Sequence, residues 1–162
     1  MTGKTEKQIC RGGMKQRLLI AQAFLGDPKV VFMDEPTAGL DPKERIRIRN
    51  LISEMALGKI VLIATHIVSD VEYISKEILL LKHGEIIGSG NPESLEKELY
   101  GIVYEKKVTV EQLKEIQDKY LVAGIREEGN QVVVRYLDSK SDEETTVWPT
   151  LDDVYLYHFY KE

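Results

Sequence analysis

The chain is poor in cysteine: Cys10 is the only one among 162 residues. A single thiol cannot build an internal disulfide framework, which points to a reducing, cytosolic setting. Long hydrophobic runs are missing too. The longest apolar stretches, 60–64 and 78–81, fall far short of the roughly 20 residues that cross a bilayer. The opening MTGKTEKQIC holds no apolar core of a secretory signal. A role at a membrane is therefore expected to run through a partner. Nor is there an excess of positive charge: Lys and Arg total 22 against 27 Asp and Glu, a formal net charge of −5. That balance disfavours broad contact with nucleic acid, leaving only a candidate local basic patch at Lys15, Arg17, Arg45, Arg47 and Arg49. There is no internal repeat, low-complexity tract or heptad array. The 43% apolar and 30% charged composition is that of an ordinary globular chain.

Residues 14–24, MKQRLLIAQAF, lack Gly and Pro and are rich in helix formers. Gly26, Asp27 and Pro28 end that helix. Residues 30–33 are a continuous apolar run without alternation, which reads as a strand covered on both faces, as in a parallel sheet. Asp41 caps a second helix with Pro42 in its first position, and Gly58 stops it. Residues 60–65 repeat the buried-strand pattern, and 69–75 form a third helix. Two strands follow around Lys82-His83-Gly84, then a short helix over 92–100. Strands alternating with helices predict an α/β layer fold. Beyond about residue 100 the texture changes to a strand (103–108), a helix (110–120) and two strands meeting across Glu128-Gly129-Asn130. A polar loop over 139–144 and a closing helix over 151–160 complete it. This reads as a small α+β appendage. The expected division is 1–100 and 101–162.

The segment richest in chemistry is Val30 to Pro36, VVFMDEP. A buried strand delivers two carboxylates at its C-terminal end, where open α/β sheets bind ligands. One carboxylate there can hold Mg²⁺, and the next can orient or deprotonate a water attacking a phosphoryl group. By itself the pattern also describes a strand end reaching water. Three further segments give it context: Pro36-Thr37-Ala38-Gly39-Leu40-Asp41-Pro42 directly after it, Ala64-Thr65-His66 at the end of the next strand, and Arg11-Gly12-Gly13-Met14 at the entry to the first helix. A glycine pair at a helix N-terminus lets backbone N–H groups approach an anion closely.

Over residues 10–66 the sequence resembles the ATP-binding subunits of ABC transporters, in the order signature loop, helix, Walker B strand, D-loop, strand and switch histidine. The resemblance implies a P-loop NTPase-like fold with a partial parallel sheet. It implies ATP as ligand and Mg²⁺ at Asp34, with Glu35 polarising the attacking water and His66 touching the γ-phosphate. Asp41 matches the D-loop aspartate. Gly12 and Gly13, with Arg11 in the serine slot of the signature, match the loop that contacts ATP held by an opposite subunit. The implied partners are a second ATPase subunit and a transmembrane permease subunit, with no nucleic acid. The implied location is the cytoplasmic, inner face of the cell membrane, reached through that partner. Residues 149–156, PTLDDVYL, resemble the closing segment of ATPases paired with ABC-2 type exporters.

Two departures stand out. Cys10-Arg11-Gly12-Gly13 replaces Leu-Ser-Gly-Gly, so a guanidinium, itself a phosphate binder, stands in for a hydroxyl. The pattern Gly-x-x-x-x-Gly-Lys-Ser/Thr occurs nowhere; Gly3-Lys4-Thr5 carries only its last letters. The sequence thus reads as the latter half of an ATPase domain, truncated or split. The alternative is a non-catalytic remnant or regulatory module that pairs with a complete subunit. A DNA-repair or chromosome-structure ATPase is disfavoured by the missing coiled coil and missing positive charge. Strands read as doubly buried but short of neighbours leave apolar surface open, so marginal stability is expected of the chain alone. His158 interrupts the apolar stripe of the last helix and reads as a residue at the edge of its buried face.

Overall fold

The computed structural model describes residues 12–138 and 146–160. They fall into two compact units, Met1–Ile74 and Ser75–Glu162.

In the first unit, α1 (Gly12–Ala23) leads into β1 (Val30–Asp34), α2 (Pro42–Met55), β2 (Ile60–Ala64) and α3 (Val68–Ile74). β1 and β2 pair in parallel, from Val30 opposite Ile60 to Asp34 opposite Ala64, with α2 as the crossover that parallel strands require. The ladder continues one step past β1, where the Glu35 amide donates to the Ala64 carbonyl at 2.8 Å. α2 starts where the sequence places it. The Asp41 side chain accepts from the Glu44 amide and Pro42 occupies the first turn, so one orphan donor is satisfied and another is absent. Gly58, at φ 73°, sits in the turn beyond its end.

The core of this unit is one-sided. Val31 and Met33 of β1 pack with Ile20 and Phe24 from α1 and the segment after it, and with Ile48 and Ile52 of α2. The alternate residues Val30, Phe32, Ile60 and Leu62 are exposed, Phe32 at 75%. The reading of strands covered on both faces is therefore corrected. Both helices lie on the Val31/Met33 side, and period-two alternation turns every second apolar side chain the other way. Of the candidate basic residues, Arg17 and Arg47 both pair with Glu44, and Arg49 pairs with Asp70.

The second unit opens with a hairpin, β3 (Ile78–Lys82) and β4 (Glu85–Gly90). His83 and Gly84 carry the positive φ angles, 53° and 85°, of its two-residue turn. Next come α4 (Pro92–Glu98), capped by Asn91, then β5 (Val103–Val108), α5 (Val110–Lys119), β6 (Leu121–Glu128), β7 (Gln131–Leu137) and α6 (Leu151–Tyr160). β5 and β6 are joined by α5 and flank β7, which runs antiparallel to both. Thr109 and Gln112 form a capping box at the start of α5.

On one face of this sheet Tyr104, Val108, Val134 and Tyr136 pack under Leu113, Ile116 and Tyr120. Opposite lie Val103 and Val133, with Leu151 and Val154 of α6, all buried. Arg135, on that same face, binds Asp153 of α6 at 3.0 Å and Glu105, its cross-strand neighbour, at 3.3 Å. Glu105 in turn takes a two-pronged bond from Arg126 at 2.9 and 2.8 Å. Asp153 also accepts from the Thr150 amide and hydroxyl at 2.8 and 2.9 Å, which starts α6 at Thr150 as expected. His158 is half-buried and its carbonyl accepts from Lys82 at 2.8 Å.

The α/β class read from the sequence is what the structure shows, with helices on a parallel pair and an α+β segment after it. The polar loop read over 139–144 lies outside the described residues. Among the described residues no helix is long and apolar enough to cross a membrane.

Candidate functional site

The parallel pairing puts the ends of β1 and β2 side by side, so residues just past them meet. Asp34 closes β1, Glu35 follows it, and Thr65 and His66 follow β2. The Glu35 carboxylate is the hub. Its Oε2 accepts from the Thr65 hydroxyl at 2.9 Å, and its Oε1 accepts from the His66 amide at 3.0 Å. The same Oε1 lies 2.6 Å from His66 Nδ1. The Thr65 oxygen accepts in turn from the Ile67 amide at 3.1 Å, so one hydroxyl bridges Glu35 and the entry to α3.

Glu35 holds this position at a backbone φ of +45°. A β-carbon crowds the backbone there, so a glutamate adopts it only where surrounding contacts fix it. Partial burial pushes the Glu35 carboxyl up, but donors from His66 and Thr65 together outweigh it and hold the carboxyl below its usual range. The His66 side chain is 73% exposed, so the imidazole faces solvent on its far side.

Asp34 is exposed, and no hydrogen bond or ion pair joins its carboxylate to another described residue. No group of three or more metal-ligating side chains occurs among the described residues. A single free carboxylate such as Asp34 is a donor of the kind Mg²⁺ takes, the rest of its shell coming from waters and substrate phosphates. Asp41 is exposed and occupied as the cap of α2.

Gly12 and Gly13 are the first residues of α1, two positions earlier than the helix start read from the sequence. Gly13 is buried, and a methyl group on it would lie 2.7 Å from Glu44 Oε2. Only glycine lets that carboxylate come so near this helix entry. Arg11 lies outside the described residues.

The structure thus brings Glu35 and His66 into contact with Asp34 adjacent in sequence, and shows Asp41 and Gly13 in local packing roles. Sequence reasoning passed over three residues. Thr65 sat unremarked inside Ala64-Thr65-His66. Thr37 and Asp70 are buried at 1% and 3% and joined by a hydrogen bond from the Thr37 hydroxyl to Asp70 Oδ2. Thr37 lay within the string that follows β1, and Asp70 near the start of the helix read over 69–75. Neither gave a signal of pairing across 33 positions.

Residues 4–38 match the family described as ABC transporter. The chain is 37% identical over 107 residues to ABC transporter A family member 8 of Dictyostelium discoideum, covering 66% of this chain and 13% of that protein. It is 42% identical over 91 residues to Nod factor export ATP-binding protein I of Rhizobium johnstonii, covering 56% and 29%. It is 38% identical over 87 residues to an uncharacterized ABC transporter ATP-binding protein of Bacillus subtilis, covering 54% and 30%. The chain therefore spans less than a third of the length of these relatives. Among solved structures, it is similar at 31% identity to an ATP-binding cassette in a dimeric post-hydrolysis state bound to ADP and Pi, with 50% of this chain and 35% of that chain covered and a TM-score of 0.45. The sequence matches bear out the resemblance read from the motifs.

Proposed function

We propose that the chain carries part of an ABC transporter ATP-binding domain, that residues up to about 100 supply the latter half of an ATP-hydrolysing site, and that 101–162 form an accessory module. The observation that carries the reading is the contact of Glu35 with His66 at the ends of two parallel strands, 2.6 Å between Oε1 and Nδ1.

In this reading the transferred phosphoryl group faces these strand ends. Glu35, held anionic by its donors, accepts a hydrogen bond from the attacking water and orients it. The exposed imidazole edge of His66 donates to the γ-phosphate. Asp34 is the residue that would hold Mg²⁺, which when bound supplies positive charge against the phosphates. Gly12, Gly13 and Arg11 would meet ATP carried by a second ATPase subunit, with Asp41 near that junction. Hydrolysis would serve export through a separate transmembrane subunit, with this chain peripheral on the cytoplasmic side and no nucleic acid involved.

A second reading rests on the absence of Gly-x-x-x-x-Gly-Lys-Ser/Thr from these 162 residues: the chain is a non-catalytic module that completes the site of another subunit. Calorimetric titration with Mg-ATP, with hydrolysis measured in parallel for Glu35→Gln, separates the two. Saturable binding with hydrolysis abolished by Glu35→Gln supports the enzyme. Hydrolysis equal in both forms overturns it, and no binding by the chain alone favours the module.

A further inference from the structure

The hydrolysis reading leaves one buried carboxylate of the first unit without a task. Asp70 is 3% exposed and sits in the first turn of α3, four residues beyond His66. Its Oδ2 accepts from the hydroxyl of Thr37, which is two residues beyond Glu35. Its Oδ1 faces Arg49 of α2 at 3.5 Å, and the same guanidinium nitrogen donates to the Ser69 carbonyl at 3.0 Å. The Arg49 guanidinium carbon lies 4.5 Å above the centre of the Tyr73 ring. One acidic side chain thus joins three elements: the segment after β1, the crossover helix, and the helix after β2.

We infer that Asp70 is a positioning residue which, with Thr37 and Arg49, braces the 35–41 segment against the entry to α3 and thereby keeps Glu35 and His66 in register. What that pair does rests on the ATPase reading above; the brace itself does not. The Glu35–His66 contact is open to water on the imidazole side, and exposed pairs of this kind hold little by themselves. The Thr37–Asp70 bond is buried at both ends, and a bond to an ionised acceptor is markedly stronger than one between neutral groups.

Short, internally bonded segments connect the brace to the pair. On one side the Ala38 amide donates to the Glu35 carbonyl at 3.2 Å and the Leu40 amide to the Thr37 carbonyl at 3.3 Å. On the other, the Asp70 amide donates to the Ile67 carbonyl at 3.0 Å, and the Ile67 amide to Thr65 Oγ1 at 3.1 Å. A displacement at Thr37 or Asp70 therefore passes to Glu35 and His66 with little slack. The positive φ of Glu35 needs such a support, because a strained backbone persists only where its surroundings over-determine it.

The test is amide hydrogen exchange of the full chain by NMR, with no nucleotide present, so its result is independent of whether the ATPase reading holds. Thr37→Val keeps the side chain's shape and removes the donor. The His66 and Ile67 amides are expected to exchange about tenfold faster, as for the loss of one hydrogen bond to a charged group, while the Val31 to Met33 amides keep their rates. Thr37→Ser, which restores the hydroxyl, is expected to restore protection. If Thr37→Val does not fold, Asp70→Asn gives the same readout in the same direction. Unchanged exchange at His66 overturns the inference. So does a rise shared equally by Val31 to Met33, which would make Thr37 a packing residue and nothing more.

Discussion

The β5–β7–β6 sheet is covered on both faces, by α5 on one and α6 on the other, whereas the β1–β2 pair is covered on one face and leaves Val30, Phe32, Ile60 and Leu62 exposed. Both units tie a buried carboxylate to an arginine, Asp70 to Arg49 and Asp153 to Arg135, but the carboxylates beside their sheets differ. In the second, Asp153 and Glu105 are tied to Arg135 and Arg126 and fasten a helix to a sheet. In the first, Asp34 is unengaged and Glu35 sits at a left-handed backbone angle against a mostly exposed histidine. Acidic groups that close a core contribute stability; on the reading proposed above, the strand-end carboxylates of the first unit serve a ligand instead. On that reading, the chemistry lies in the unit whose sheet is covered on one face only.

Removing a carboxylate from each unit tests that contrast most strongly. Asp153→Ala leaves Arg135, only 18% exposed, without its main partner, and is expected to cost about 3–5 kcal/mol. Asp34→Ala removes no hydrogen bond or ion pair to another described residue and is expected to stay within about 0.5 kcal/mol. Urea unfolding followed by Trp148 fluorescence and far-ultraviolet dichroism measures both. Equal losses would show that Asp34 is as structural as Asp153.

The next contrast lies within β1 and α2. Ile52 is fully buried and Phe32 is 75% exposed. Ile52→Ala is expected to cost about 2–5 kcal/mol through lost burial and the cavity left behind. Phe32→Ser is expected to change stability by about 0.5 kcal/mol or less and to raise the concentration at which the chain aggregates. A large loss on Phe32→Ser, read by thermal melting, would mean that this face is covered in solution and would dissolve the contrast between the units.

Much of this was legible in the residues themselves. Asp41-Pro42 and Gly58 bracket α2, Glu128-Gly129-Asn130 marks the β6–β7 turn, and Thr150 opens α6, because caps and turns act over three or four residues and leave local signatures. Asp34, Glu35 and His66 could be placed at strand ends because an apolar run followed by acidic or polar residues states where a strand stops. The one-sidedness of β1 was not legible: Val30, Val31, Phe32 and Met33 are all apolar, so the sequence carries no alternation to say which face is covered. The brace was equally silent. Thr37 and Asp70 look like turn and helix-start residues, and only the parallel pairing of β1 with β2 brings them together. Asp153 was hidden for the same reason, since its partner Arg135 comes from another element.

Acid titration probes the contrast most gently, because both units contain a carboxyl held below its usual range. For Glu105 the main cause is the hydrogen bonding from Arg126, opposed by burial and reinforced by Arg135. For Glu35 burial acts upward and is outweighed by the donors of His66 and Thr65. A depressed folded-state value means that each group's contribution is present above the unfolded carboxyl value of about 4.3 and is lost as pH falls through the lower folded value. The stability gap between the native chain and Glu105→Gln is therefore expected to stay constant from neutral pH down to about 4.3 and to close below it. Glu35→Gln is expected to show a smaller gap closing in the same direction, since its donors are a hydroxyl, an amide and an imidazole in place of two guanidinium groups. High salt should narrow the Glu105 gap more than the Glu35 gap, because Arg126 lies at the solvent edge. A gap for Glu105→Gln that widens on acidification would reverse the sign and remove the ion network as the reason the second unit is the better-fastened one.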